Sequence, residues 1–96
     1  MALFDIGQVV MLCGVADRAA DSATYAFLVQ KALQMHREGS WGDVCDEDWE
    51  SNQNALSDGG RLFSVYIMSE LDPEDKIWII TEEDRSTTTV LLPEEY

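Results

Sequence analysis

RLFSVYIMSELDPEDKIWIITEEDRSTTTVLL, residues 61–92, holds three β-prone runs separated by two turn-forming segments. Arg61–Ser69, Lys76–Thr81 and Ser86–Leu92 are rich in Ile, Val, Thr and aromatic side chains, which suit a pleated, half-buried surface. LDPED and EEDR between them carry the Asp and Pro chemistry of turns. Pro93 ends the last run because it has no amide hydrogen for a ladder. Runs joined this closely predict consecutive antiparallel strands.

Upstream, Leu3–Cys13 (LFDIGQVVMLC) suits a first strand with a bulge at Gly7, ending at Gly14. GVADRAAD then looks like a connecting loop. Asp21 or Ser22 can cap a helix whose apolar stripe is Tyr25, Leu28, Val29, Ala32, Leu33 and His36, spaced three and four apart and ending at Gly39. GSWGDV, residues 39–44, is a glycine-rich loop. Asp46–Ser57 predicts a second helix, with acids in its first turn where the helix dipole favours them and Gly59-Gly60 at its end. Its thin stripe of Trp49, Gln53 and Leu56 makes it a surface helix. The expected fold is therefore α+β: one domain over residues 1–96, in the order β-α-α-β-β-β, with an antiparallel meander sheet and two helices on one face. Leu33 and Ile79 are expected in its core.

Hydrophobic residues make up 46% of the 96. A chain this short buries about 60–65% of its unfolded surface, which leaves a modest core. Nineteen Asp and Glu stand against six Lys and Arg, for a formal charge of −13. Residues 1–37 balance Asp5, Asp17 and Asp21 against Arg18, Lys31 and Arg37, so the whole excess belongs to residues 38–96. Such a field repels nucleic acid and anionic lipid and attracts basic proteins. No stretch is apolar for long enough to span a bilayer, and no charged segment followed by an apolar one opens the chain, so a cytoplasmic protein with two free thiols is expected.

The one histidine, His36, sits near the end of a helix and is expected to be half-exposed. Cys45 lies nine residues on, but Asp43, Asp46, Glu47 and Asp48 beside it would raise a thiol's pKa, the opposite of what a nucleophile needs. Cys13, His36 and Cys45 match no zinc-ligand spacing, and neither DEDWE nor LDPED follows the EF-hand order. No phosphate-binding glycine loop or nucleophile elbow occurs. Neither catalytic residues, nor a metal, nor a cofactor is expected.

What stands out is the placement of carboxylates: Asp43, Asp46, Glu47, Asp48 and Glu50; then Glu70, Asp72, Glu74 and Asp75 at one turn; then Glu82, Glu83 and Asp84 at the other. Duplex DNA carries one charge per ~1.7 Å of axis, so thirteen exposed charges would imitate about six or seven base pairs. The expected partner is a protein with a basic surface, with no direct contact to nucleic acid or membrane. The alternative is an interaction module whose acidity serves solubility and whose contact is an apolar patch at Trp41 or Trp49.

GSWGDVCDED (39–48), GGRLFSVY (59–66) and KIWIITEEDRSTTTVLLPEEY (76–96) resemble a family of small proteins carried by bacterial plasmids and integrative elements. Its members are often labelled plasmid-related proteins or type I restriction endonuclease subunit M. The resemblance covers most of residues 4–96 and is strongest over 77–96. It implies a mobile-element setting, where small acidic proteins blunt host defences, so the basic partner would be a nuclease or a CRISPR or restriction component. A chain this short has no room for a methyltransferase's cofactor-binding fold, and the resemblance carries no catalytic residues with it.

Overall fold

The computed structural model describes residues 2–96. Its elements are β1 (Gln8–Met11), α1 (Cys13–Asp21), α2 (Ala23–Arg37), α3 (Asp46–Asp58), β2 (Leu62–Ile67), β3 (Lys76–Thr81), β4 (Thr87–Leu91) and a short 3-10 turn at Pro93–Glu95. The fold is α+β. Two features of the expected topology are corrected, the helix count and the sheet.

The segment expected to be a loop, GVADRAAD, lies in helix α1. Its inward side is carried by Val15, with Ala19 partly buried against the core. The Glu95 carboxylate accepts hydrogen bonds from the Gly14 amide and the Leu92 amide, each at 2.9 Å, and so satisfies a free donor in α1's first turn. The first strand accordingly shrinks to Gln8–Met11, with Gly7 just before it at φ 60° rather than in a bulge within it. Ser22 ends α1 and caps α2, its hydroxyl accepting from the Tyr25 amide at 3.1 Å.

The sheet is mixed, in the order β1-β4-β3-β2. β2, β3 and β4 form the expected antiparallel meander, but β1 adds to β4 in parallel, Gln8 opposite Thr87 through Met11 opposite Val90. The reason is edge availability. A three-stranded meander leaves the outer sides of β2 and β4 free, and β2's side is taken: the Val65 amide donates to the Trp41 carbonyl (3.1 Å) and the Asp43 amide donates to the Val65 carbonyl (2.7 Å). Gly42 permits this approach. Its φ is 78°, and a Cβ there would collide with the Val65 carbonyl oxygen and the Tyr66 ring.

Strand alternation sorts the sheet into two faces. Tyr66, Ile77, Ile79 and Val90 meet Val15, Tyr25, Val29, Ala32 and Leu33 of α1 and α2 in the main core. Leu33 and Ile79 are buried as expected. Trp41, Ala55 and Leu62 form a second cluster that seats α3 beside β2. On the opposite face Trp78 is edge-on to Phe63 and to Tyr96, at centroid distances of 5.2 and 5.5 Å.

Candidate functional site

The polar chemistry inside the molecule converges on His36, which is fully buried rather than half-exposed. It lies on the inward stripe of α2, and Ser64, Thr81 and Thr88 occupy inward positions of three adjacent strands. His36 Nδ1 is 2.5 Å from Ser64 Oγ and Nε2 is 2.9 Å from Thr81 Oγ1; Thr81 Oγ1 is 2.7 Å from Thr88 Oγ1. The Thr88 hydroxyl donates to the Ile6 carbonyl at 2.7 Å. That last bond fixes the direction of the rest. With its proton on Ile6, Thr88 accepts from Thr81, Thr81 accepts from Nε2–H, and Ser64 donates to Nδ1. The imidazole is neutral, and burial, aided by the Arg85 charge, lowers its pKa to about 4.

Ser64 beside His36 has the spacing of a nucleophile and its base, yet Ser64, Thr81 and Thr88 are all fully buried. Phe4 and Trp41 close over the ring edge-on, at centroid distances of 5.3 and 5.6 Å. The buried network ties α2 to the sheet. Cys45 and Cys13 are exposed free thiols, and neither is among the hydrogen-bond partners of His36.

The molecule's acidity is displayed on α3 and the turns. Asp43, Asp46, Glu47, Asp48 and Glu50 are all exposed, and among the described residues none of them has an ion pair. Asp58, outside the expected set, extends the same helix and accepts from the Gly60 amide at 3.0 Å. Glu47, Glu50 and Asp58 share one side of α3 with Ser51, Asn54 and Arg61. Arg61 in turn pairs with Glu82 at 3.7 Å, so the 82–84 turn adjoins this side. Arg85 locks the junction: its guanidinium donates to the carbonyls of Ala55 (3.0 Å), Gly60 (2.6 Å) and Glu82 (3.1 Å), placing a cation at α3's C-terminal end. Glu83 and Asp84 are exposed. Asp84 accepts from the Ser86 amide and hydroxyl, which hold its carboxyl below the usual range.

The cluster at 70–75 lies elsewhere. It joins β2 to β3 at the opposite end of β3 from the 82–84 turn, a separation of about 17 Å for a six-residue strand. Asp72, Glu74 and Asp75 there sit beside Asp21 and Glu94, two acids distant in sequence, and around Arg18 and Lys76. Asp75 pairs with Arg18 at 3.6 Å, and Asp72 accepts from the Glu74 amide at 3.0 Å. Glu70 is exposed. The twelve predicted acids thus divide between α3 with its adjoining turn and a separate, partly neutralised corner.

No family model matches the chain, and no curated protein or solved structure is significantly similar to it.

The aromatic residues are placed differently from expectation. Trp41 is completely buried, its indole N–H donating to Gln53 Oε1 at 2.9 Å, so it offers no surface patch. Trp49 is 40% exposed instead of facing inward. The inward side of α3 is made by Asn52 and Ala55, with Leu56 partly buried, because this helix packs against a strand edge as well as a small core.

Proposed function

We propose that this protein is an acidic binding inhibitor from a mobile element, of the DNA-mimic type, which occupies the nucleic-acid groove of a bacterial defence or DNA-processing enzyme. The single observation that carries this reading is α3. Its four first-turn and second-turn acids, with Asp43 before them, are solvent-facing and have no cation of their own among the described residues. Carboxylates left unpaired on a rigid element repel one another and weaken the free protein, and a basic groove would relieve that repulsion on binding. The 82–84 turn extends the surface past Arg61. The 70–75 corner, about 17 Å away, stands at the length of roughly five phosphate steps along one strand.

The test is salt dependence against a partner captured from the native host. Affinity should fall steeply between about 50 and 200 mM salt, as it does for DNA, and the partner should be unable to hold this protein and DNA together. Asp46→Asn, Glu47→Gln and Asp48→Asn together should weaken binding more than Asp72→Asn with Asp75→Asn, since the latter acids already have partners. A complex that resists salt, tolerates the α3 substitutions and still admits DNA would sink this reading.

One observation favours a second reading, an accessory interaction module whose acidity serves solubility. Trp49 on α3 is exposed, and Phe63 and Trp78, on the face of the sheet opposite α1 and α2, are only half-buried. Under that reading Trp49→Ala abolishes binding and the charge substitutions do not.

A further inference from the structure

The two edges of the sheet are finished differently. On β2 the outward backbone groups of Phe63 and Val65 are all engaged, by Asn52 and by the 41–43 segment. On β1 they are not. The amides of Gln8 and Leu12 donate to the carbonyls of Ser86 and Val90, at 2.9 and 3.0 Å, so residues 8, 10 and 12 address β4. By alternation the N–H and C=O of Val9 and Met11 point away from the sheet. Among the described residues no backbone group meets them.

The surroundings of this edge are apolar. Val9 is 38% exposed, Val10 36%, and Phe27 of α2 67%. Ile6, Val9, Met11 and Phe27 line an open groove whose charged border, Lys31, Arg37 and Glu38, is close to neutral. β1 is short, but within Gln8–Met11 it has no lysine, no proline and no bulge to discourage edge pairing.

We propose that β1 is the interface of a two-fold homodimer, in which the β1 edges of two copies pair antiparallel about Val10. The open groups dictate this register. Val9 of each copy exchanges both backbone hydrogen bonds with Met11 of the other, and the two Val10 residues face each other as a non-hydrogen-bonded pair. Charge selects a second copy as the occupant. The chain carries −13, all of it from residues 38–96, whereas residues 1–37 are balanced. β1 and α2 therefore form the surface on which two such chains approach with least repulsion. A two-fold interface sets the same patch of each copy against itself, so it must use this near-neutral surface rather than the acidic one. β2 and α3 lie at the far edge, so the dimer carries an α3 at each end of one continuous sheet.

Sedimentation equilibrium over roughly 5 to 500 μM, the range of a weak interface, should show a monomer–dimer equilibrium. Val10→Glu sets two carboxylates face to face and should shift that equilibrium to monomer with the circular dichroism spectrum retained. In a Cys13→Ser, Cys45→Ser background, Val10→Cys should form an interchain disulfide on mild oxidation, because a non-hydrogen-bonded antiparallel pair brings its Cα atoms to about 4.5 Å. The cysteine substitution leaves a small apolar side chain in place and reports on the pairing even if the glutamate variant unfolds. A monomer across the range, a dimer indifferent to Val10→Glu, or a dimer in which Val10→Cys does not cross-link would each overturn the proposal. So would finding the groove filled by an unrelated acidic peptide in a monomeric protein.

Discussion

Asn52 closes both outward backbone groups of Phe63: its Nδ2 donates to the Phe63 carbonyl at 2.6 Å and its Oδ1 accepts from the Phe63 amide at 3.0 Å. A buried side-chain amide here imitates the next strand of the sheet. Asn52→Ala would leave a donor and an acceptor without partners and should cost roughly 2–4 kcal/mol, measured by urea unfolding. Asn52→Asp keeps the acceptor but buries a charge in place of the donor, so it should be no milder.

His36 makes stability depend on pH. Its folded pKa of about 4 lies below the unfolded value near 6.5, so the fold holds the neutral ring. This contribution is complete above the unfolded pKa and is lost as pH falls towards the folded one, by about 3 kcal/mol in all. Relief of carboxylate repulsion acts in the opposite sense over the same range, so unfolding curves alone are ambiguous. An NMR titration of the imidazole separates the two, and its midpoint should lie well below 6.

Gly42 and Gly59 share a left-handed backbone, at φ 78° and 83°, but not a neighbourhood. Gly59→Ala meets nothing within contact distance and should cost about 1 kcal/mol in backbone strain alone. Gly42→Ala must also push the Val65 carbonyl away, so it should cost about 2 kcal/mol or more and speed hydrogen exchange at Val65 and Asp43.

Leu33 and Ile79 both belong to the main core, and truncation of either to Ala should destabilise by roughly 2–5 kcal/mol. Phe27→Ala, from an exposed site on the same helix as Leu33, should change the melting temperature of the dilute protein little.

Much of this fold is legible locally. The alternation and turn residues of 61–92 mark β2, β3 and β4, and the stripe of α2 marks its buried side at Tyr25, Val29, Ala32 and Leu33, though not the full burial of His36. α1 escapes because Val15 is its only fully buried side chain and small alanines make up the rest of its inward surface, so apolar periodicity is faint. The β1–β4 ladder escapes because it joins residues nearly eighty positions apart. The His36 network left one trace: Ser64, at an inward position between Leu62 and Tyr66, breaks an otherwise apolar face. What could not be read was that Thr81 and Thr88 complete a chain of donors with it. Trp49 misleads for a related reason, since α3 needs an amide rather than an indole where it meets β2. Asp21 and Glu94 join the 70–75 corner only through tertiary folding.

The parallel ladder between β1 and β4 also orders events during synthesis. Gln8–Met11 leaves the ribosome long before Thr87–Val90, its partner in the sheet. Until that strand emerges, the nascent chain can form α1 and α2 but cannot complete the sheet, and Val15, Val29 and Leu33, which share a core with Val90, remain open to chaperones. A message cut short before Thr87 would therefore yield a product with no closed core, one that proteases should clear quickly.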